Sequence, residues 1–131
     1  MGHVRYLAFY LLSGFAAAAV QTYMNPASVL PMVGASGAIS GIMGAYIVLY
    51  PRVRVHMLVV LVIFITRIVV PAYLMLGYWF LLQLLGGSMA SEGGGVAFWA
   101  HTGGFLAGAL LISAFKDPDL VAKHRALARY V

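Results

Sequence analysis

Gly34-Ala35-Ser36-Gly37-Ala38-Ile39-Ser40-Gly41 lies inside a run of 46 residues, 6 to 51, that contains no Asp, Glu, Lys or Arg. That run decides the fold class. One membrane-crossing helix takes about 20 predominantly apolar residues, so the run is long enough for two. The break between them falls at Asn25-Pro26, with Pro31 and Gly34 following. Asn-Pro initiates turns and proline interrupts helices. The first span is therefore expected over 5–23. The second is expected over 36–50, with Pro51 closing it.

The rest of the chain has the same character. Of 131 residues, 63% are hydrophobic and 8% are charged, with a mean hydropathy of +0.97. An ordinary soluble domain is about half apolar and about a quarter charged, so this chain has too few charges to cover itself in water. The expected class is an all-α, polytopic transmembrane helical bundle forming a single domain over 1–131. No cysteine is present, which excludes disulfides, thiol catalysis and cysteine metal sites. The net charge is +5, but no Lys/Arg cluster is interleaved with aromatics on a polar face, so no nucleic-acid partner is expected. The first apolar run lacks a small-residue cleavage site and reads as a retained span.

Working outward, Arg54 and Arg67 enclose 12 uncharged residues, too few to cross a bilayer alone. The Val- and Ile-rich segment Val55 to Thr66 is expected either to lie at the interface or to begin a longer bent helix. A third span is expected over 71–86, after Pro71 and ended by Gly86-Gly87-Ser88. Glu92-Gly93-Gly94-Gly95 then reads as a flexible loop. The fourth span is expected over 97–115. Lys116-Asp117-Pro118-Asp119 follows and opens a basic tail, 116–131.

Four spans place Arg5, Arg52, Arg54, Lys116, Lys123, Arg125 and Arg129 on one side, seven of the eight basic residues. By the positive-inside rule that side is cytoplasmic. Arg67 is the exception and is expected to snorkel or to pair within the bundle. The same topology brings the start of the second span and the start of the fourth to the opposite, outer side. Ser36 begins one and His101 stands near the start of the other, 65 positions apart.

Both positions carry two readings. Gly37, Gly41 and Gly44 recur at i, i+4, i+7, a small-residue stripe that lets membrane helices approach closely. A serine at a helix start also has unpaired backbone N–H groups and the positive dipole end beside it, the features that stabilise an oxyanion. Packing motif with a capping serine is the plainer alternative. His101 shares a face with Gly104 and Gly108. An ionisable residue inside a span is costly and signals function, and neutral imidazole is the usual general base for a serine. An interhelical hydrogen bond is its plainer alternative. Together the two form a possible Ser–His dyad: Asp117 and Asp119 lie at the other end, so no carboxylate orients the histidine. Ser40 is expected to hydrogen-bond within its helix, and Gln83 to face the bundle or the outer loop. Tyr73, Tyr78 and Trp79 read as interface anchors. His56 and His124 lie on the cytoplasmic side and are not expected to be catalytic. No HExxH or GxxxxGK[ST] occurs, and neither a metal nor a cofactor is expected.

At this point a family resemblance becomes specific. The segment Gly34 to Gly41 resembles the rhomboid GxSGxxxG motif. Ala100-His101-Thr102-Gly103-Gly104-Phe105-Leu106-Ala107-Gly108 resembles the rhomboid AHxGGxxxG motif. Both stand in the family's order with one span between them, and the resemblance covers essentially the whole chain. It implies an intramembrane serine endopeptidase acting on transmembrane-helix substrates in the lipid bilayer, with Ser36 as nucleophile and His101 as base. It implies that Gly34, Gly37, Gly41, Gly103, Gly104 and Gly108 serve oxyanion binding and close packing. Trp79 and Phe80 would stand on a span that gates lateral substrate entry. The rhomboid core has six helices, and its second supplies a histidine and an asparagine to the oxyanion hole. This chain resembles the last four helices, so weak or no cleavage is expected of it alone. A non-catalytic rhomboid-like scaffold binding transmembrane helices is the alternative. A bacterial inner (plasma) membrane with the C-terminus cytoplasmic is the expected location.

Overall fold

The computed structural model describes residues 1–29, 31–61, 64–89 and 97–127. Five helices and one two-stranded sheet make up the described chain: α1 (His3–Met24), α2 (Ser36–Leu49), β1 (Arg54–Leu61), β2 (Phe64–Pro71), α3 (Ala72–Met89), α4 (Phe98–Phe115) and α5 (Pro118–Leu127). Three of the helices, α1, α3 and α4, are long and apolar enough to cross a membrane. α2 has 14 residues, or about 21 Å at 1.5 Å per residue, and is shorter than a hydrocarbon core of about 30 Å. Large apolar side chains stay exposed along the bundle exterior, among them Leu7, Phe15, Leu74, Leu106 and Leu110. The architecture is a helical membrane bundle.

Two small clusters hold the bundle. Phe9 of α1, Ala45 of α2 and Ile112 of α4 are buried together, with Leu49 and Phe115 packed around them. Ala72 and Leu76 of α3 meet Phe105 of α4, with Val55, Trp79 and Phe80 alongside. Between the clusters, α2 and α4 touch backbone to backbone. A Cβ added to Gly104 would run into the carbonyl oxygen of Gly37, and one added to Gly108 into that of Gly41. No other residue permits this approach.

The end of the bundle that gathers the basic residues is closed by arginines. Arg5 donates from Nη2 to the Ala114 carbonyl oxygen at 2.9 Å. Arg125 donates from Nη2 to the Leu49 carbonyl oxygen, also at 2.9 Å. Both carbonyls lie in the last turn of a helix, where no intrahelical donor remains and a cation is favoured.

Three details depart from the sequence expectation. The described residues of the segment Val55 to Thr66 do not begin a bent helix. They belong to two antiparallel strands, 54–61 and 64–71, whose register runs from Arg54↔Pro71 to Leu61↔Phe64, a local addition to the helical bundle. β-branched side chains are stiff at χ1, which disfavours helix and suits a pleated strand. Along β1, Arg54, His56, Leu58 and Val60 are exposed while Val55, Met57 and Val59 are half-buried, the period-2 alternation of a strand. Arg67 lies exposed on β2 and pairs in register with Leu58, outside the helices. An open sheet edge is not tolerated in hydrocarbon, which assigns the hairpin to the bundle's margin.

Second, α3 does not stop at Gly86 but continues to Met89. The rings of Phe98 and Trp99 lie where Cβ atoms on Gly86 and Gly87 would be. The glycines there admit α4's aromatics and do not break the helix. Third, the tail after Lys116 contains α5. Asp117 Oδ1 accepts from the backbone N–H of Asp119 at 3.1 Å and of Leu120 at 3.2 Å, and Pro118 occupies the first helical position, a standard N-cap followed by an N1 proline. The Glu92-Gly93-Gly94-Gly95 loop and Arg129 lie outside the described residues.

Candidate active site

The chain reaches Ser36 through a turn that only glycine adopts comfortably. Gly34 has φ +119°, in the region where a Cβ is strained. Ala35 follows as the N-cap residue of α2, and no side chain caps the helix. The first intrahelical bond of α2 runs from Ile39 N–H to the Ala35 carbonyl oxygen. The N–H groups of Ser36, Gly37 and Ala38 are therefore the unpaired donors of the first turn. Ser40 behaves as expected: its hydroxyl donates to the Ser36 carbonyl oxygen at 2.7 Å.

α4 begins opposite. Its backbone N–H at Ala100 donates to Gln21 Oε1 of α1 at 3.0 Å. That bond, between residues 79 apart, fixes the first turn of α4 and with it His101. Gln21 was not singled out by the sequence reading. The available signal was an amide near the end of an otherwise apolar span, where a polar group needs a partner.

The two helix starts bring Ser36 Oγ and His101 Nε2 to 2.9 Å. This is hydrogen-bond distance between a hydroxyl and an imidazole in the geometry that nucleophile–base pairs use. The other ring nitrogen, Nδ1, is 2.8 Å from Gln83 Oε1 of α3. Gln83 is buried and faces the bundle, one of the two positions expected for it. Ser36 is exposed and His101 half-buried, so the pair is open on the serine side and enclosed on the glutamine side.

The glycines of both motifs surround this pair. Gly37 and Gly104 share the backbone contact described above. A Cβ on Gly103 would meet the side chain of Val20, and one on Gly41 the side chain of Ser13. Trp79 is half-buried and stands beside the imidazole, ring centroids 5.9 Å apart. Tyr73 and Tyr78 are exposed. Phe80 stacks on Phe105 at 4.6 Å and 25°. Trp79 and Phe80 are thus the residues by which α3 leans on α4. His56 is exposed on the hairpin, and His124 lies against Tyr50; neither joins the site.

A cavity of about 580 Å³ opens on Ser36, within the range of ligand-binding clefts. It is lined by Tyr10, Gly14 and Ala17 of α1, by Pro31 to Ala38, and by Ala97, Ala100 and His101. Among these lining residues there is no asparagine and no second histidine.

Such an arrangement has the parts for acyl transfer: a hydroxyl against an imidazole nitrogen, an acceptor on the far nitrogen, free helix-start donors and an apolar cleft. Comparison with known proteins adds one positive finding. The Rhomboid domain family model matches residues 1–117. Neither a curated protein nor a solved structure matches the chain. The family match includes all four apolar helices and both glycine motifs, and on it this integral membrane protein belongs to the rhomboid family.

Proposed function

We propose that the chain is an intramembrane serine endopeptidase that hydrolyses a peptide bond within or beside a substrate's transmembrane helix. The observation that carries this reading is the 2.9 Å contact between Ser36 Oγ and His101 Nε2 at the mouth of an apolar cavity. In this mechanism Nε2 takes the hydroxyl proton as Oγ attacks the scissile carbonyl. The resulting oxyanion is held by the free N–H groups of the first turn of α2, Ser36 foremost, aided by the helix dipole. His101 then returns the proton to the leaving amine, and a water repeats the cycle to release the acyl group from Ser36.

Because α2 is short, a membrane that covers α1 and α4 leaves Ser36 below its outer surface. Substrate reaches it from the side, and Trp79 and Phe80 of α3 are the gate residues of this reading. The basic end carrying Arg5, Arg52, Arg54, Lys116 and Arg125 is cytoplasmic by the positive-inside rule, and a bacterial inner membrane is the proposed location. Backbone donors alone support a modest rate, since removing one oxyanion donor costs about 10²–10³-fold in turnover. Low turnover is expected.

The test is cleavage of a fluorogenic transmembrane reporter in proteoliposomes. Slow cleavage that disappears in Ser36→Ala supports the reading. Cleavage that persists at the same rate in Ser36→Ala removes it.

A further inference from the structure

We propose that Gln83 is the positioning residue of the site: its side-chain carbonyl accepts the Nδ1–H of His101 and so holds the imidazole in the tautomer whose Nε2 is free to take the Ser36 proton. This rests on the reading of Ser36 and His101 as nucleophile and base.

The geometry is a two-rung ladder between antiparallel helices. Phe80 of α3 stacks on Phe105 of α4. One turn further along α3, and one turn back along α4, Gln83 Oε1 meets His101 Nδ1 at 2.8 Å. Positions 76, 80 and 83 share one face of α3, and Leu76 and Gln83 are buried there. The amide is therefore directed by packing that lies outside the reacting groups.

The chemistry follows from the inventory of a neutral imidazole, in which one nitrogen donates and the other accepts. If Nε2 is to accept the Ser36 proton, Nδ1 must carry hydrogen and needs an acceptor. The partner set by the other nitrogen decides which tautomer is held. Asp117 and Asp119, the described acids, stand at the opposite end of the chain's last helices, so the acceptor is an amide and not a carboxylate. A neutral acceptor suits the place: Gln83 is 8% exposed inside a membrane bundle, where an unpaired buried charge is heavily penalised. The opposite orientation of the amide, with its NH₂ toward Nδ1, would place the proton on Nε2 and leave the site without a base.

The experiment is ¹⁵N NMR of the full chain with labelled histidine in detergent micelles at a pH where the imidazole is neutral. The His101 resonances are identified by their loss in His101→Ala among the four histidines. The expected spectrum has Nδ1 protonated and Nε2 unprotonated as a single tautomer. Gln83→Leu is expected to give a mixture, and Gln83→Glu, which can only accept, to restore the single form. In parallel, the limiting rate of fluorophosphonate labelling should fall about 10–100-fold in Gln83→Leu, the scale on which a histidine's supporting partner matters. The probe concentration for half-maximal rate should not move, since Gln83 does not touch the probe. An Nε2–H tautomer in the wild type overturns the proposal, and that measurement needs no variant to fold. Wild-type tautomer and rate in Gln83→Leu overturn it equally. An Nδ1–H tautomer in a wild-type chain whose Ser36 never labels sinks the protease reading, and with it the catalytic part of the proposal, while the hydrogen bond by which Gln83 sets the tautomer stands.

Discussion

α4 is held from two sides in two different ways. Against α2 the contact is backbone on backbone: Gly104 sits on the Gly37 carbonyl and Gly108 on that of Gly41. Against α3 the contact is made by aromatic rings: Phe80 and Trp79 meet Phe105, and Phe98 and Trp99 lie over Gly86 and Gly87. α4 buries seven residues and α3 buries three, Ala72, Leu76 and Gln83. Interdigitated glycines leave no slack, because van der Waals contact at that distance cannot be re-made at another angle. Aromatic pairs are worth about 0.5–1.5 kcal/mol and tolerate several orientations. Ser36 and His101 stand on the tight seam, and Gln83 and Trp79 reach the site from the looser helix. On the proposed protease reading, a nucleophile and base need fixed separation and an element that admits substrate needs to move, and the two packing modes suit those two tasks.

The comparison breaks most directly at the seam. Gly108→Val puts a branched side chain into the Gly41 carbonyl, and overpacking against backbone is expected to destabilise by about 3 kcal/mol. Denaturant-induced unfolding of the solubilised bundle reads this, and near-wild-type stability would show that the seam has slack. Next in size is Gln21→Ala, which leaves the Ala100 N–H without its acceptor and costs about 1–2 kcal/mol. The same unfolding assay checks it, and labelling of Ser36 should slow because the first turn of α4 loosens. On the other side, Phe80→Leu, which removes the stacked ring and keeps apolar bulk, is expected to cost about 1 kcal/mol with the bundle still folded. Hydrogen exchange should then rise along α3 while α2 and α4 keep their protection; a rise spread equally over all three would erase the distinction. The smallest effect is expected from Arg125→Ala at the far end. It removes two exposed donors, Nε and Nη2, from the Leu49 carbonyl, a contribution of about 0.5 kcal/mol, and it should leave the reactivity of Ser36 unchanged.

What the sequence disclosed follows the same division. The seam is written locally: glycines at i, i+4, i+7 around Ser36 and at 104 and 108 after His101 are visible without knowing any neighbour. So is the topology that takes both helix starts to one side, because charge-free runs and basic ends are local signals. The hairpin was hidden because a nearly continuous apolar run shows no period. The alternation of Arg54, His56 and Leu58 against Val55, Met57 and Val59 emerges only as exposure in the folded chain. α5 has a local signal in Asp117-Pro118, an N-cap followed by an N1 proline. Gln83 stands out as a polar residue in a span, yet its partner 18 positions away depends on how α3 leans on α4, and no spacing rule encodes that angle. Gln21, 79 positions from Ala100, was hidden for the same reason.

The central claim is that Ser36 is a serine activated by His101. Its most direct test is labelling of the solubilised chain with a fluorophosphonate probe, beside Ser36→Ala and His101→Ala. The account predicts a labelled wild type, with the label located on Ser36 by mass spectrometry, and no label on either variant. An unlabelled wild type, or labelling that survives His101→Ala, would contradict it.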